Sequence, residues 1–318
     1  MQNILVIGAA GQIGSELVPE LRRRGYMTVA AGSGRTPLPA TLAEGGPSTA
    51  VNLLDGDALR KAVERFNIDT VFNLAAILSA AGESKPMTAW DIGVNGVIGL
   101  LELAREKRLS VFTPSSIGVF GPETPHDPTP QDTVCRPKTM YGITKVAGEL
   151  LSDYYRLKYG VDARSVRYPG LISHVTPPGG GTTDYAVDIY WKAVEQGCYA
   201  SPLARGTRLP MMFMADALRA AIELMEADAS RLKHFNSFNV AAMSFAPEDV
   251  AASIRRRIPG FELSFDVDPL LQGIAESWPD ALDDDAAREE WDWRPEYDLD
   301  AMTDVMLQAV SDRLAKMI

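Results

Sequence analysis

Short apolar runs and longer amphipathic stretches alternate along the first half of the chain. Residues 4–7 (Ile-Leu-Val-Ile) are unbroken apolar sequence, the pattern of a strand covered on both faces. Residues 13–24 then carry apolar positions at helical spacing and stop at Gly25. Further strands are predicted at 27–31, 50–54, 70–75, 110–114 and 163–168, with helices at 57–66, 90–107 and 140–159 among them. Strands alternating with helices in this way predict an α/β fold, a Rossmann-type doubly wound parallel sheet.

After Gly170 the rhythm changes. Pro177-Pro-Gly-Gly-Gly181-Thr-Thr is loop by composition. Helical patterns at 184–196, 215–226, 248–257, 283–290 and 299–316 predict a smaller, mostly helical C-terminal lobe. The expected division is a dinucleotide-binding domain over 1–172, to which 210–233 returns, and a substrate-binding lobe made of 173–209 and 234–318.

Composition narrows the function classes. A net charge of −11 over 318 residues argues against a nucleic-acid partner, which needs a basic surface. Two cysteines, Cys135 and Cys198, give no disulfide framework and predict a reducing, cytoplasmic compartment. His126, His174 and His234 stand far from one another and from either cysteine, so no metal site is expected. No apolar run reaches the roughly 20 residues of a membrane span. The N-terminus lacks a basic flank and breaks at Gly8, which reads as a first strand rather than a signal peptide.

The first strand runs into Gly8-Ala-Ala-Gly11-Gln12-Ile13-Gly14. Glycines so spaced make a tight strand-to-helix turn, over which a pyrophosphate meets the helix N-terminus. An acid ending the second strand would bind the ribose 2′-hydroxyl, but here the chain reads Ala31-Gly32-Ser33-Gly34-Arg35. Arg35 beside Ser33 suits a 2′-phosphate, or is a solvated loop arginine. Asn52 and Leu53 follow the third strand on the adenine side. Asn73-Leu74-Ala75-Ala76 follows the fourth, where small residues leave room for a dinucleotide.

Tyr141 and Lys145 lie four residues apart on a predicted helix and share a face. A free tyrosine, with a pKa near 10, is a poor base at neutral pH, and a nearby ammonium favours the phenolate. A shift of about three units takes about 4 kcal/mol. Ser115 and Ser116 close the strand at 110–114, which puts a hydroxyl, that of Ser116, in position to orient a substrate oxygen towards Tyr141. Asn95, on the apolar helix at 90–107, either caps a core hydrogen-bond network or relays protons through water.

Together these residues resemble the short-chain dehydrogenase/reductase superfamily in its extended, epimerase-like branch, over essentially the whole chain. Ser116, Tyr141 and Lys145 match its catalytic triad, and Gly8, Gly11 and Gly14 its nucleotide turn. Leu53, Ala75, Ala76, Asn95, Tyr168 and Leu171 fall where members line the dinucleotide. The stretches Pro114-Ser-Ser-Ile-Gly-Val-Phe-Gly-Pro122, Arg167-Tyr-Pro-Gly-Leu-Ile172, Pro178-Gly-Gly-Gly-Thr-Thr-Asp-Tyr-Ala-Val-Asp188 and Gln272-Gly-Ile-Ala-Glu-Ser-Trp-Pro279 are similar to the epimerase-like L-threonine 3-dehydrogenases.

That resemblance implies NAD as cofactor and oxidation of the β-hydroxyl of L-threonine by hydride transfer. Ser33 stands where that group carries an aspartate, which keeps NADP as the alternative. Asp184 is the candidate for the substrate ammonium. Ser79, Ser115, Gly180 and Thr182 are candidates for its carboxylate or hydroxyl, since successive glycine amides form anion-binding nests. The alternative for this loop is a surface turn with Asp184 capping the next helix. The other activities considered are a nucleotide-sugar epimerase, dehydratase or reductase, for which Arg205 and Arg208 would serve a diphosphate, and a non-catalytic redox regulator. Relatives pair their equivalents of the helices at 90–107 and 140–159, so a homodimer is expected.

Overall fold

The structure, a computed structural model, describes residues 1–34, 37–77, 79–176 and 181–316, with only the backbone of 79–81. Six parallel strands form the main sheet: β1 (Asn3–Ile7), β2 (Met27–Gly32), β3 (Ser48–Ala50), β4 (Thr70–Asn73), β5 (Ser110–Phe112) and, beyond the short β6 (Ser115–Ser116), β7 (Asp162–Arg164). Their order is β3-β2-β1-β4-β5-β7. The order reverses between β1 and β4, so the strand ends there open a crevice at the switch point of a doubly wound sheet.

The apolar pattern explains the layers. Ile4, Leu5, Val6 and Ile7 are all buried. Leu5 and Ile7 join Val29, Ala31, Val71 and Val111 in one core, against Leu59 and Val63 of the helix Gly56–Arg65 and Leu100, Leu101 and Ala104 of the helix Gly96–Lys107. Each valine, leucine or isoleucine side chain so withdrawn from water contributes about 1.5–3 kcal/mol.

Three local differences from the sequence expectation have physical causes. The third strand ends at Ala50 instead of running on to Leu54. Asn52 and Asp55 take the chain out of the sheet, because Asp55 N–H donates to Asn52 O at 2.9 Å and the Asp55 carboxylate caps the next helix on Ala58 N–H. The strand expected at 163–168 divides at Ser165, whose carbonyl accepts from Phe238 N–H at 3.1 Å; β8 (Val166–Tyr168) follows. The long helix expected at 90–107 begins at Pro86 and contains a π-helical turn, Asp91–Asn95. At that turn Gly93 approaches the helix Met140–Tyr159 so closely that a Cβ would come 2.8 Å from Thr144 Cβ.

The chain divides into two compact units. The first comprises 1–119, 137–167 and 218–238 and holds the main sheet; the second comprises 120–136, 168–217 and 239–318. The expected limits of 1–172 with 210–233 differ from this chiefly at 120–136, which groups with the second unit. Beside its helices that unit contains a sheet of Gly170–Ile172, Leu209–Phe213 and Met243–Phe245, and a parallel pair, Cys198–Ser201 with Glu262–Phe265. Ile189, Tyr190, Met211, Phe213, Ile254 and Met306 are central to its core. Among the described residues no helix is long and apolar enough to cross a membrane.

Candidate active site

The glycine turn has the geometry a pyrophosphate needs. Gly8 has φ 80°, and a Cβ there would lie 3.0 Å from Leu74 C. Gly11 N–H donates to Gly8 O at 2.9 Å and caps the helix Gln12–Arg23 without a side-chain bond. A Cβ on Gly14 would come 2.4 Å from Gly8 O and 2.7 Å from Ala9 Cα, so a larger residue would push the helix off the turn. The first helical turn contains no acid. Its amides, with Gln12 and Ile13 half-buried beside them, present partial positive charge to the strand ends.

Beyond β2, Ser33 is exposed, while Arg35 lies outside the described residues. Asn52 is exposed in its turn, and Leu53 is buried against the helix Gly96–Lys107, its Cδ2 2.7 Å from where a Gly96 Cβ would stand. Leu74 N–H donates to Ile7 O at 2.9 Å, which sets Leu74, Ala75 and Ala76 beside the glycine turn. The Asn73 Nδ2 donor at the end of β4 is buried with no partner, as expected where a ligand would supply an acceptor. The residues therefore fit a dinucleotide: the turn and helix amides would hold the pyrophosphate, and Leu74–Ala76 would lie along the nicotinamide half. Asn95 is not part of a core network. It is exposed, and its Nδ2 donates to Asp91 Oδ1 at 2.8 Å across the π turn.

Ser116, Tyr141 and Lys145 come together. Thr139 caps the helix Met140–Tyr159 on Gly142 N–H at 3.1 Å, which fixes where Tyr141 enters. Gly142 sits against Gly118, where a Cβ would be 2.1 Å from Gly118 O; the Tyr141 ring covers Gly118, its Cδ1 and Cε1 both 3.1 Å from an ideal Cβ there. Ser116 Oγ accepts from Gly118 N–H at 3.2 Å, beside the same ring. Lys145 Nζ donates to Pro114 O at 2.6 Å and lies 5.5 Å from the Tyr141 ring centre. A pocket at this point is lined by Ala75, Ala76, Thr113, Tyr141, Lys145 and Glu149, among others. Thr113 Oγ1 is buried there without a partner.

Ser115 is buried, and its hydroxyl donates to Glu149 Oε1. Glu149 was not among the expected site residues, although its spacing, four beyond Lys145 on the same helix, would have marked it.

The remaining candidates, Ser79 apart, lie in the second unit. Tyr168 is buried and its hydroxyl donates to Ala217 O at 2.6 Å; Leu171 is half-buried in the sheet beside Met212. Thr182 is buried. Asp184 precedes the helix Tyr185–Gln196, but its carboxylate turns back to accept from Gly181 N–H at 2.8 Å instead of capping the helix. Gly180 lies outside the described residues, as does the side chain of Ser79, whose backbone starts the helix Ser79–Ser84.

A doubly wound parallel sheet with a glycine turn at its switch point and a Tyr/Lys helix beside it is the architecture of a nicotinamide-dinucleotide-dependent oxidoreductase. The chain belongs to the NAD dependent epimerase/dehydratase family, whose model matches residues 4–241. An uncharacterized epimerase/dehydratase of Staphylococcus saprophyticus is 51% identical over 314 residues, 98% of both chains. Among solved structures, the L-threonine dehydrogenase of Clostridium difficile superposes with a TM-score of 0.96 at 49% identity, covering 98% of both chains. The GalE-like L-threonine dehydrogenase of Cupriavidus necator, in its holo form, gives 0.91 at 48% identity, covering 96% of this chain and 99% of that one.

Proposed function

We propose that this chain oxidises the β-hydroxyl of L-threonine to 2-amino-3-oxobutanoate with NAD. The observation that carries the reading is the grouping of Tyr141 and Lys145 with Ala75 and Ala76 around one pocket, with Ser116 beside the Tyr141 ring at Gly118, in a chain whose full-length likeness is to structures named L-threonine dehydrogenases. When bound, the nicotinamide supplies the acceptor for the hydride leaving Cβ. Ser116 hydrogen-bonds the hydroxyl oxygen and orients it. Tyr141 takes the hydroxyl proton as the carbonyl forms. The Lys145 ammonium, anchored on Pro114 O, stabilises the charge that develops on the phenol oxygen.

Thr182 and Asp184 serve the amino-acid end of the substrate, with Asp184 opposite the ammonium. Arg205 and Arg208 favour this over a nucleotide-sugar reading. Arg205 lies over the Phe265 ring at 4.8 Å, and Arg208 pairs with Asp249 at 2.9 Å, so both cations are engaged by their own neighbours. The outer face of the helix Met140–Tyr159 exposes Ile143, Leu150, Tyr154 and Leu157, at spacings that keep them on one stripe. A second copy of the chain covers this stripe in the proposed homodimer.

The test is incubation with L-threonine and NAD while following the reduced-nicotinamide absorbance. Turnover is expected in the parent enzyme, with a loss of about 10²–10⁴-fold in Tyr141→Phe. No turnover of threonine, or a Tyr141→Phe variant that keeps its kcat, overturns the reading.

A further inference from the structure

The face of the helix that carries Tyr141 and Lys145 continues one turn further to a charge that the reaction does not use. Glu149 is only 7% exposed. Its Oε1 accepts from Ser115 Oγ and from Arg167 Nε at 3.0 Å, and its Oε2 accepts from Arg167 Nη2 at 2.9 Å. A two-pronged guanidinium contact of this kind gives both carboxylate oxygens a charged partner away from water. Arg167, in β8, is equally buried, at 7%. The helix backbone is pinned at the same point. Asn236 Nδ2 donates to Glu149 O at 2.8 Å and to Asp153 Oδ1 at 3.1 Å, and Asn236 Oδ1 accepts from Ser165 Oγ.

Ser115 stands between two residues that the proposed reaction depends on. Pro114 before it supplies the carbonyl that holds Lys145 Nζ at 2.6 Å, and Ser116 after it supplies the substrate hydroxyl contact. The bond from Ser115 to Glu149 thus ties that segment back to the helix bearing Tyr141 and Lys145. A lone buried carboxylate one turn from Lys145 would compete with Tyr141 for the ammonium. With Arg167 on both of its oxygens, Glu149 is neutralised locally.

We propose that the buried Glu149–Arg167 pair is a positioning device for the Tyr141/Lys145 base. Glu149 fixes the Pro114–Ser116 segment through Ser115, and Arg167 cancels the Glu149 charge so that the Lys145 ammonium stays directed at Tyr141. The inference rests on the reading of Tyr141 as the base.

The other charges on elements packed against this helix are committed elsewhere. Glu83 accepts from Met140 N–H at 2.7 Å, and Asp91 accepts from Asn95. Glu102 pairs with Arg105, Glu106 with Arg60, Lys107 with Glu64 and Asp162 with Arg164. On the helix itself, burial raises the Asp153 carboxyl above its ordinary range. Lys158 Nζ donates to Tyr154 OH at 2.7 Å, and Arg156 lies over the Phe235 ring.

The test is kcat/KM for threonine across pH in charge variants of the pair. Glu149→Gln leaves an unpaired cation behind Lys145, and the acidic limb of the profile should move down by about one unit. Arg167→Met leaves an unpaired anion, and the limb should move up by about as much. Ser115→Ala changes no charge; kcat should fall about tenfold through lost positioning while the limb stays in place. The double variant Glu149→Met/Arg167→Met should also keep the parent limb, with lowered kcat.

A merely structural pair would lower activity without moving the limb in opposite directions. Single variants whose limbs stay put or move together overturn the proposal. Should the single variants fail to fold, a displaced limb in the double variant, or a parent-like kcat in Ser115→Ala, overturns it. Threonine turnover by the parent enzyme and its loss in Tyr141→Phe establish the base separately, so failure of the pairing and failure of the base reading are distinguishable.

Discussion

Replacing Gly14 with alanine should damage stability and dinucleotide binding together. The new Cβ would sit 2.4 Å from Gly8 O, 2.7 Å from Ala9 Cα and 2.9 Å from Ala9 C, all backbone atoms. Ordinary carbon contacts lie near 3.5–4.0 Å, so the helix Gln12–Arg23 must retreat by about 1 Å from the turn. No rotamer change relieves a clash with backbone, which places the cost at the upper end of the overpacking range, about 3 kcal/mol. For a unit of this size that is a fall of about 6–12 °C in Tm. The retreat also carries the helix amides away from the pyrophosphate, and a loss of about 1.4 kcal/mol there weakens Kd tenfold. Thermal melts and NADH fluorescence titration read the two effects. Gly11→Ala is the internal control: its Cβ would stand 3.2 Å from the same carbonyl oxygen, which a small adjustment relieves, so its losses should be clearly smaller. A Gly14→Ala protein with the parent Tm and affinity, or Gly11→Ala as the worse of the two, would refute the reasoning.

Asp184→Asn keeps the acceptor for Gly181 N–H but removes the charge proposed for the substrate ammonium, so KM for threonine should rise at least tenfold with kcat changed less; steady-state kinetics checks it, and an unchanged KM removes the contact. Leu150→Glu/Leu157→Glu puts two charges on side chains that are 65% and 87% exposed in the single chain, and light scattering should show the parent dimer reduced to a monomer; a parent that is already monomeric contradicts the dimer. Ser33→Asp introduces the acid that the end of β2 lacks, and should lower kcat/KM with NADP at least tenfold while NAD is used as well or better; equal losses with both cofactors would show that Ser33 does not face the ribose.

Much of the first unit was legible because single residues decide it locally. Residues 4–7 are apolar without interruption because β1 is covered on both faces, and Gly160 ends the long helix at φ 69°, where other residues are strained. Tyr141 and Lys145 could be paired from spacing alone, since a helix fixes which residues share a face. What could not be read depended on partners distant in sequence. Glu149 acquires its meaning from Arg167, 18 residues on, and Ser115, 34 residues back. Asn95 was expected either to cap a core hydrogen-bond network or to relay protons through water; the π turn carries it to solvent, where Asp91 takes its amide. Asp184 has the composition of a helix cap, yet the amide of Gly181 captures its carboxylate first. Two strands of the second unit, Gly170–Ile172 and Met243–Phe245, are only three residues long, too short for a period to show.

The central claim is that Tyr141 accepts the hydroxyl proton of threonine while hydride leaves Cβ. Single-turnover reduction of NAD by L-threonine, with parent enzyme and Tyr141→Phe side by side, tests it most directly. The account predicts a full burst of reduced nicotinamide in the parent and a rate lowered by about 10²–10⁴-fold in the variant, with NADH binding retained in both. Equal bursts in the two proteins, or none in the parent, would contradict it.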